Sequence, residues 1–490
     1  MFVQTKKLIT LIIMKIYEKK HNNIHIEFSA GEISTDSGSI LAKTFLDQIG
    51  LQEALDNIFD RETEMKANRD RNGGPDRQYY TSDIIYQMFL GFILGYKNPT
   101  EFERLKDDPV ITHFLGKMPI ASQSTFSRII TEFSNFNEQT LQQFQINILS
   151  AYFRDLMNKN KGKRLSEIKI DMDSTNIATY GHQEGSDYNG HYNTNGYHPN
   201  LITAEDLNLV LFGILRPGNT FSSKNSEKEL NFMLNFLSKY FEKIIVKADS
   251  AYPTPAILKT LHHHIDLKIS KIEYFIKTKK YTSWLENSAS FQQFEEKTYS
   301  IMNLPKTYFE EKNLEGKTIK DRYFSFNHKC DTWLHPEKII ARVRYIPNYQ
   351  QSLFDSANKE ISLIITNAPA VDDSIFDDYG DRAKCEKSIE ELKNDNFAKN
   401  LSSHSFISNS CIFLIKCIAH NFIQLIRLYA LQDSAYKKAR TSTIRRILFK
   451  IGGKIVKTAR YVFLKLSSCF VYKHVFIRAF QHIQTIQLKI

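Results

Sequence analysis

Hydrophobic and polar positions divide this chain of 490 residues into a helical first part and a mixed second part. Before about residue 160, apolar residues recur at steps of three and four, the spacing of a buried helix face. The clearest such stretches are Ile40–Leu55, Ile84–Leu94 and Leu141–Leu156. From Ser166 onward, the short apolar or alternating runs typical of strands take over. The pattern therefore predicts an α/β region behind an all-helical one.

The mixed part opens on an alternating stretch that predicts a strand. In Glu167–Asp173, apolar residues face one side and charged residues face the other. Apolar runs predict further strands at Leu207–Leu215, Ile244–Ser250 and Tyr274–Lys277, and helical spacing predicts helices at Ser226–Phe241 and Thr254–His263. Two of the predicted strands carry an aspartate at or next to their end, Asp173 and Asp249.

These two aspartates are candidate metal ligands. Backbone geometry holds a strand end rigidly, and neighbouring strands can bring two carboxylates within reach of shared ions. Two divalent ions about 4 Å apart promote phosphodiester chemistry, and carboxylate ligands favour Mg²⁺ or Mn²⁺ over zinc. Two alternatives stay open. Asp171 lies on the same side of the strand as Asp173, and Asp249 could be an ordinary capping residue before Pro253.

A third acid lies on a predicted helix far downstream. From Tyr379 to Lys393 the sequence has no proline, and helix-forming residues dominate. Steps of three and four residues place Arg382, Glu386 and Lys393 on one stripe. Tyr379 projects near the same line if the helix begins there. This face suits phosphate binding around a metal ligand, whereas the plainer interpretation is a solvated surface with weak ion pairs. Glu390, one turn after Glu386, is the fallback acid.

Positive charge is concentrated at the C-terminal end. The chain has 65 Lys and Arg against 54 Asp and Glu, a net charge of +11. Residues 434–490 alone hold thirteen basic side chains and no acidic ones. In Tyr436–Leu466, basic residues such as Arg445 and Arg446 interleave with apolar ones at helical steps, which predicts an amphipathic basic helix. Such a helix can lie on a membrane or on DNA, and the acids upstream favour DNA.

A short capped helix is the candidate recognition element of the helical part. Ser and Thr residues open the predicted helix Ser122–Phe133, and the free N–H groups of a helix start suit a phosphate. In this interpretation Ser124 and Arg128 contact DNA. An ordinary capped helix in a helical bundle explains the same residues equally well.

Cysteine usage and the first residues narrow the remaining possibilities. The five cysteines form no CxxC pair, which argues against a zinc framework or a disulfide scaffold and for a reduced, cytoplasmic protein. The apolar run Leu8–Tyr17 is far shorter than the ~20 residues of a membrane span. A polar stretch follows Met14, so we expect residues 1–23 to be a disordered leader or to contain an alternative start.

The candidate site residues lie within a set of short motifs. These are Asp173-Ser174-Thr175, the loop from Tyr180-Gly181 to His198-Pro199, Leu215-Arg216-Pro217-Gly218-Asn219, and Lys247-Ala248-Asp249-Ser250. The downstream helix adds the spacing Y-(2)-R-(3)-E-(6)-K, formed by Tyr379, Arg382, Glu386 and Lys393. Together the motifs resemble DDE transposases of bacterial insertion sequences, specifically the IS1380 family within the wider IS4-like group. The resemblance covers nearly the whole chain.

The resemblance implies an RNase H-like catalytic core in which Asp173, Asp249 and Glu386 hold two Mg²⁺ ions, with Mn²⁺ able to substitute. Water would first attack at the element ends, and the freed 3′ hydroxyl would then attack target DNA. The residues implied to contact terminal phosphates and flanking bases are Tyr379, Arg382 and Lys393. The implied partner is double-stranded DNA rather than a membrane, and we expect a dimer in the DNA complex, in the cytoplasm and associated with the nucleoid.

The expected architecture is an α/β, RNase H-like core with a β-rich insertion, preceded by a helical DNA-binding domain and followed by a basic helical tail. The insertion includes the predicted strands Lys338–Tyr345 and Glu360–Thr366. The expected segments are the leader at 1–23, the helical domain at 24–160, the core at 165–278 and 371–432, the insertion at 279–370, and the tail at 433–490. An inactive transposase-derived DNA-binding protein and an RNase H-like nuclease without strand transfer are the alternatives.

Overall fold

The computed structural model describes residues 12–14, 24–26, 31–72, 78–116, 119–279, 284, 312–314, 317–345, 359–370, 373–380 and 382–490. Its helices are α1 Ser39–Gln48, α2 Leu51–Ile58, α3 Arg61–Asn72, α4 Thr81–Leu94, α5 Pro99–Lys106, α6 Pro109–Leu115, α7 Gln123–Thr131, α8 Asn135–Lys159, α9 Ser226–Leu237, α10 Pro255–Leu267, α11 Asp373–Gly380, α12 Ala383–Asn394, α13 Phe406–Ala430, α14 Thr441–Ile444 and α15 Lys473–Gln484. A π-helical turn, Arg445–Phe449, follows α14.

The strands are β1 Ile12–Met14, β2 Ile24–Ile26, β3 Leu165–Ser174, β4 Ile177–Ala178, β5 Asp187–Asn189, β6 Thr194–Tyr197, β7 Asn200–Ala204, β8 Leu209–Ile214, β9 Phe241–Ala248, β10 Lys271–Thr278, β11 Lys312–Leu314, β12 Lys317–His328, β13 Glu337–Tyr345, β14 Lys359–Thr366, β15 Gly453–Lys457 and β16 Val462–Leu466. Strand β1 pairs with β2. Most of the predicted leader, residues 1–23, lies outside the described residues.

A mixed sheet forms the centre of the α/β part. Its described strands run in the order β11-β12-β13-β14-β10-β9-β3-β7-β8. Strands β3, β7 and β8 form an antiparallel meander, while β9 and β10 follow on the other side of β3 and are parallel to it. Helices α9 and α10 connect β8 to β9 and β9 to β10. This order and these directions are those of an RNase H-like core, so the predicted α/β class is confirmed.

The strands of the predicted insertion extend the same sheet. Strand β14 pairs antiparallel with β10, and β13, β12 and β11 continue outward from it. The predicted strands Lys338–Tyr345 and Glu360–Thr366 are confirmed as β13 and β14. Most of residues 280–311 lies outside the described part of the chain.

Helix α13 is the element on which the helical part and the sheet meet. It is apolar and long enough to cross a membrane, but 94% of an 18-residue apolar window within it is buried inside the protein. It packs against α4 and α8 on one side and against β8 of the sheet on another. A continuous hydrophobic core thus joins the N-terminal helices to the sheet, and α13 is its central helix.

Phe422 of α13 offers a test of that packing. Its buried ring lies edge-on to Phe89 of α4 and Phe45 of α1, with centroid distances of 5.2 and 6.3 Å. We expect Phe422→Ala to lower the free energy of unfolding by about 3–5 kcal/mol, because it leaves a cavity. Denaturant unfolding measures this. The control is Phe136→Ala, which removes a ring 63% exposed on α8 and should cost at most about 0.5 kcal/mol. An equal loss of unfolding free energy in the two variants would contradict the central role of α13.

The basic tail differs from the predicted helix. Within Tyr436–Leu466, α14 and the π-helical turn are helical, whereas β15 and β16 form an antiparallel hairpin, and the tail becomes helical again in α15. The prediction of one helix over Tyr436–Leu466 is therefore wrong in its second half. Two glycines, Gly452 and Gly453, disfavour continuation of the helix, and the β-branched Ile455 and Val456 favour a strand.

Candidate active site

The two aspartates at the strand ends lie side by side. Strands β3 and β9 are parallel, and their register pairs Met172 with Ala248. The residue that follows in each strand direction is an aspartate, Asp173 and Asp249, and both line the same cleft. The backbone N–H of Ala251 donates to Asp249 Oδ1 at 2.7 Å, which fixes the orientation of that carboxylate.

The predicted signature helix is interrupted. Helix α11 ends at Gly380, and α12 begins at Ala383. The helix-forming run from Ala383 onward is a helix as predicted, but the condition that would add Tyr379 to its stripe, a helix beginning at Tyr379, is not met. Glycine is a weak helix former, and Gly380 ends α11. Tyr379 lies on α11 and does not line the cleft. Its hydroxyl donates to the carbonyl oxygen of Ala248 at 3.4 Å.

Helix α12 still presents the predicted stripe of side chains. The cleft that contains Asp173 and Asp249 is also lined by three residues of this stripe. Arg382 lies directly before α12, and Glu386 and Lys393 lie within it. Their spacing of four and seven residues keeps them on one face of the helix. The structure therefore brings together the three acids, one arginine and one lysine that the sequence selected.

Arg382 connects the acidic side chains. Its Nε donates to Asp171 Oδ1 at 3.0 Å, and its Nη2 lies 2.9 Å from Asp173 Oδ2. Its Nη1 lies 3.4 Å from Glu386 Oε1. Asp171 is fully buried and does not line the cleft, whereas Asp173 does. Of these two aspartates, Asp173 is therefore the better candidate ligand, and Asp171 orients the guanidinium.

The cleft in front of the acids has a volume of about 1220 Å³. Its walls come from the strand ends, from α12, from the loop after β8, and from β4 and the loops next to β5 and β6. Its lining is rich in polar and aromatic side chains, including Thr175, Asn176, Tyr180, His191, Tyr192, His198, Phe221, Ser222 and Lys399. The cleft is thus open and polar.

The Leu215–Asn219 motif holds one wall of this cleft in place. Arg216 is buried, and it donates from Nε to the carbonyl oxygen of His198 at 3.0 Å and from Nη1 to that of Ser222 at 2.9 Å. A side chain at Gly218 would come within 2.2 Å of two backbone carbonyl oxygens. The motif is therefore structural, because it packs the loops that surround the acids.

The chemistry of the three carboxylates fits a divalent cation. Their oxygens are the hard ligands that Mg²⁺ and Mn²⁺ prefer. Burial, and then the charges of Asp249 and Glu386, raise the pKa of Asp173 to about 6 against the opposing effect of Arg382. A bound cation would relieve this crowding of negative charge. No three His, Cys, Asp or Glu side chains within the described ranges are close enough to hold a metal, and the Arg382 guanidinium contacts both Asp173 and Glu386.

A comparison with models of known protein families shows which family the chain belongs to. A family model for the transposase DDE domain, group 1, matches residues 17–488. This chain belongs to the DDE transposase family. The match extends beyond the end of α15 at Gln484, so it includes the helical part, the sheet and the tail.

Two solved transposase structures are similar to this DDE transposase chain at low sequence identity. One is the piggyBac transposase synaptic complex with hairpin DNA, at 11% identity over 84% of this chain and 80% of that one, with a TM-score of 0.40. The other is the Mos1 strand transfer complex, at 15% identity over 41% of this chain and 60% of that one, with a TM-score of 0.15. No curated protein matches the sequence.

The raised pKa of Asp173 predicts that a cation held by this carboxylate would bind in a pH-dependent way. A pKa of about 6 lies above the usual 3.8 of an aspartate, so protons compete with a cation below that pH. We expect the apparent affinity for Mn²⁺ to be constant above about pH 7 and to fall about tenfold per pH unit below pH 6. Calorimetric titration between pH 5 and 8 measures this. Asp173→Asn should give weak, pH-independent binding, and a flat wild-type profile would contradict the assignment.

The predicted DNA-contacting residues of this transposase chain lie in different surroundings. Lys393 faces the cleft and donates to Thr175 Oγ1 at 2.9 Å. Ser124 and Arg128 are exposed on α7, and Arg446 is exposed in the tail. A DNA contact by each of these residues stays a prediction.

The structure corrects the prediction that Arg445 contacts DNA. Its guanidinium is buried. It donates from Nε to the carbonyl oxygen of Ile93 at 2.9 Å and from Nη2 to that of Phe92 at 2.8 Å. Further acceptors are Asn396 Oδ1 at 3.1 Å and the carbonyl oxygen of Asp395. These acceptors occupy the guanidinium, so Arg445 joins the tail to α4 and α12 instead of contacting a phosphate.

Sequence reasoning missed a buried ion pair behind the cleft. Lys247 Nζ lies 2.8 Å from Glu205 Oε1, and both side chains are buried. The register of β3 and β9 sets Lys247 opposite Asp171, so the pair belongs to the charged layer beneath the carboxylates. A lysine inside the apolar strand Ile244–Ala248 was the available signal, because a buried cation needs a partner. Nothing in the sequence pointed to Glu205.

Proposed function

We propose that this protein is the active transposase of a bacterial insertion sequence of the IS1380 family, within the IS4-like group. It binds the terminal inverted repeats of its element, cleaves the DNA at the element ends, and joins the freed 3′ ends to target DNA. The observation that carries the proposal is the convergence of Asp173, Asp249 and Glu386 on one cleft. Membership of the DDE transposase family supports it.

In this proposal the three carboxylates would hold two Mg²⁺ ions, with Mn²⁺ able to substitute. When bound, such ions activate the attacking oxygen and stabilise the leaving oxygen of a phosphodiester. The protein's own contribution is to hold the three carboxylates in fixed positions and orientations. Parallel strands position Asp173 and Asp249, and helix α12 brings Glu386 to the same cleft.

Two cations beside the acids would orient the DNA backbone. Arg382 and Lys393 flank Glu386 on the cleft face of α12. A planar guanidinium suits bidentate contact with a phosphate, and an ammonium supplies a point charge. Because Arg382 contacts the carboxylates in the structure without DNA, we expect it to exchange a carboxylate for a phosphate when DNA enters.

The assembly follows from the substrate. The described residues of one chain form one such cleft, and an element has two ends, so we expect a dimer to act on paired ends. Its DNA is that of the bacterial nucleoid, in the cytoplasm. Proposed contacts away from the cleft are Ser124 and Arg128 of α7, Tyr379 of α11, and Arg446 of the tail.

A strand-joining assay tests the proposal. Purified protein and Mg²⁺ are incubated with a labelled duplex that carries an inverted repeat flanking the gene, together with a supercoiled plasmid. The proposal predicts label joined to plasmid, and no joining of a duplex with a scrambled end. Cleavage without joining would identify a nuclease. Binding without any chemistry, in Mg²⁺ and in Mn²⁺, would identify a DNA-binding protein of transposase ancestry.

A further inference from the structure

Strands β15 and β16 form a hairpin with one basic and aromatic face. Their register pairs Lys454 with Lys465 and Val456 with Phe463. Paired residues of antiparallel strands share a face, so these four side chains lie on the same side of the hairpin. Tyr461 comes next on that side. It is 65% exposed, and Phe463 is 46% exposed, so large aromatic rings stand beside two lysines at the surface.

The other face attaches the hairpin to the protein. Ile455 pairs with Leu464 on that side, and both are partly buried. Leu466 packs against the main hydrophobic core. Ser34 and Gly453 exchange two backbone hydrogen bonds of 2.9 and 3.0 Å. The hairpin is therefore fixed in place with its basic, aromatic face directed to solvent.

The charge on the exposed face is not balanced within the tail. Lys454 and Lys465 lie directly opposite each other, and like charges in that arrangement destabilise a strand pair. Residues 434–490 contain no acidic side chain. Between described residues, the salt bridges of tail cations are those of Arg440 and Lys450, and neither residue belongs to the hairpin. A polyanionic partner would remove this repulsion.

We propose that the β15–β16 hairpin is a DNA-binding ribbon that enters the major groove of double-stranded DNA. The groove of B-DNA is about 12 Å wide and admits a two-stranded β-ribbon. Each strand has five residues, about 17 Å of length, and the two strands lie about 4.8 Å apart. Lys454 and Lys465 bind phosphates at the groove wall, and Phe463 and Tyr461 contact the sugars and base edges. This inference rests on the proposed function, which supplies the DNA.

The test compares the salt dependence of duplex binding by full-length variants. The double variant Lys454→Ala/Lys465→Ala loses two phosphate contacts. We expect weaker binding and a slope of log affinity against log salt that is smaller by about 2. Lys454→Arg/Lys465→Arg should keep the slope. The matched control is Lys473→Ala/Lys489→Ala, which removes two exposed lysines of the same tail outside the hairpin and should change the slope by less than about 1.

The outcomes separate this inference from the proposed function. An unchanged slope in the hairpin variant, or an equal change in the control variant, overturns the ribbon while DNA binding by the wild type still supports a transposase. Absence of DNA binding by the wild type contradicts the proposed function itself. Binding to phosphatidylserine vesicles that the hairpin substitutions abolish, with DNA binding unaffected, assigns the face to a membrane surface instead. Melting temperatures should not fall in the hairpin variant, because a repulsive lysine pair is removed.

Discussion

Asp249→Asn is expected to abolish DNA cleavage and joining while DNA binding persists. The substitution keeps the side-chain shape and an oxygen that can accept the hydrogen bond from the Ala251 backbone N–H, but it removes the negative charge that the proposed cation would need. A catalytic metal supplies several kcal/mol of charge stabilisation, and a loss of about 4 kcal/mol corresponds to about 10³-fold in rate. We therefore expect cleavage of an element-end duplex to slow by about 10³-fold or more. Denaturing gels measure the cleavage, and a gel-shift titration measures the binding.

Glu390→Gln provides the matched control for the acids of the cleft. Glu390 lines the same cleft, one turn beyond Glu386 on α12, but its side chain is 52% exposed and forms a weak surface ion pair with Arg440. Its loss should change the cleavage rate by no more than about threefold. Glu386→Gln should slow DNA cleavage about as strongly as Asp249→Asn. If Glu390→Gln stopped cleavage and Glu386→Gln did not, the third ligand would be Glu390.

Arg445→Ala is expected to destabilise the folded protein strongly. The guanidinium is buried and satisfies the carbonyl oxygens of Phe92 and Ile93 at the end of α4, together with Asn396 Oδ1. Removing it leaves several buried acceptors without a donor, at about 1–3 kcal/mol each. We expect the free energy of unfolding to fall by about 3 kcal/mol or more, which chemical denaturation measures. Arg445→Lys should not restore it, because an ammonium lacks the planar fork of donors.

Arg446→Ala is the comparison that separates the structural role of Arg445 from DNA binding by the tail. Arg446 is the next residue in the chain and is exposed, so its removal should alter stability by no more than about 0.5 kcal/mol. If it contacts a phosphate, the variant binds DNA more weakly. A stable Arg445→Ala protein with weakened DNA binding would overturn the structural assignment and restore Arg445 as a DNA contact.

The central strands could be predicted because their signals are local. Alternation in Glu167–Asp173 and the apolar run of Ile244–Ser250 are properties of single strands, and both strands are confirmed with small shifts of their ends. Once the two strands are predicted, the positions of Asp173 and Asp249 at their ends follow from the sequence. The choice between Asp171 and Asp173 could not be made in the same way, because a period of two puts both on one face. The folded structure distinguishes them, because Asp171 is fully buried whereas Asp173 lines the cleft.

The errors arose where glycines, β-branched residues or tertiary contacts outweigh the helical spacing. Basic and apolar residues at helical steps also fit a hairpin whose one face packs on the core, as β15 and β16 do. Arg445 and Arg446 are indistinguishable in sequence, yet one is buried and the other exposed. The interruption at Gly380 separates Tyr379 from the face of α12, although the spacing of the signature gave no indication of a break.

Anomalous diffraction from crystals of the Mn²⁺-loaded protein bound to an element-end duplex tests the central claim most directly. That claim is that Asp173, Asp249 and Glu386 form the metal site of a DNA-cutting and DNA-joining enzyme. The account predicts two anomalous peaks about 4 Å apart between these three carboxylates, with the Arg382 guanidinium withdrawn from Asp173. Absence of any peak there, at a Mn²⁺ concentration that supports cleavage in solution, would contradict it.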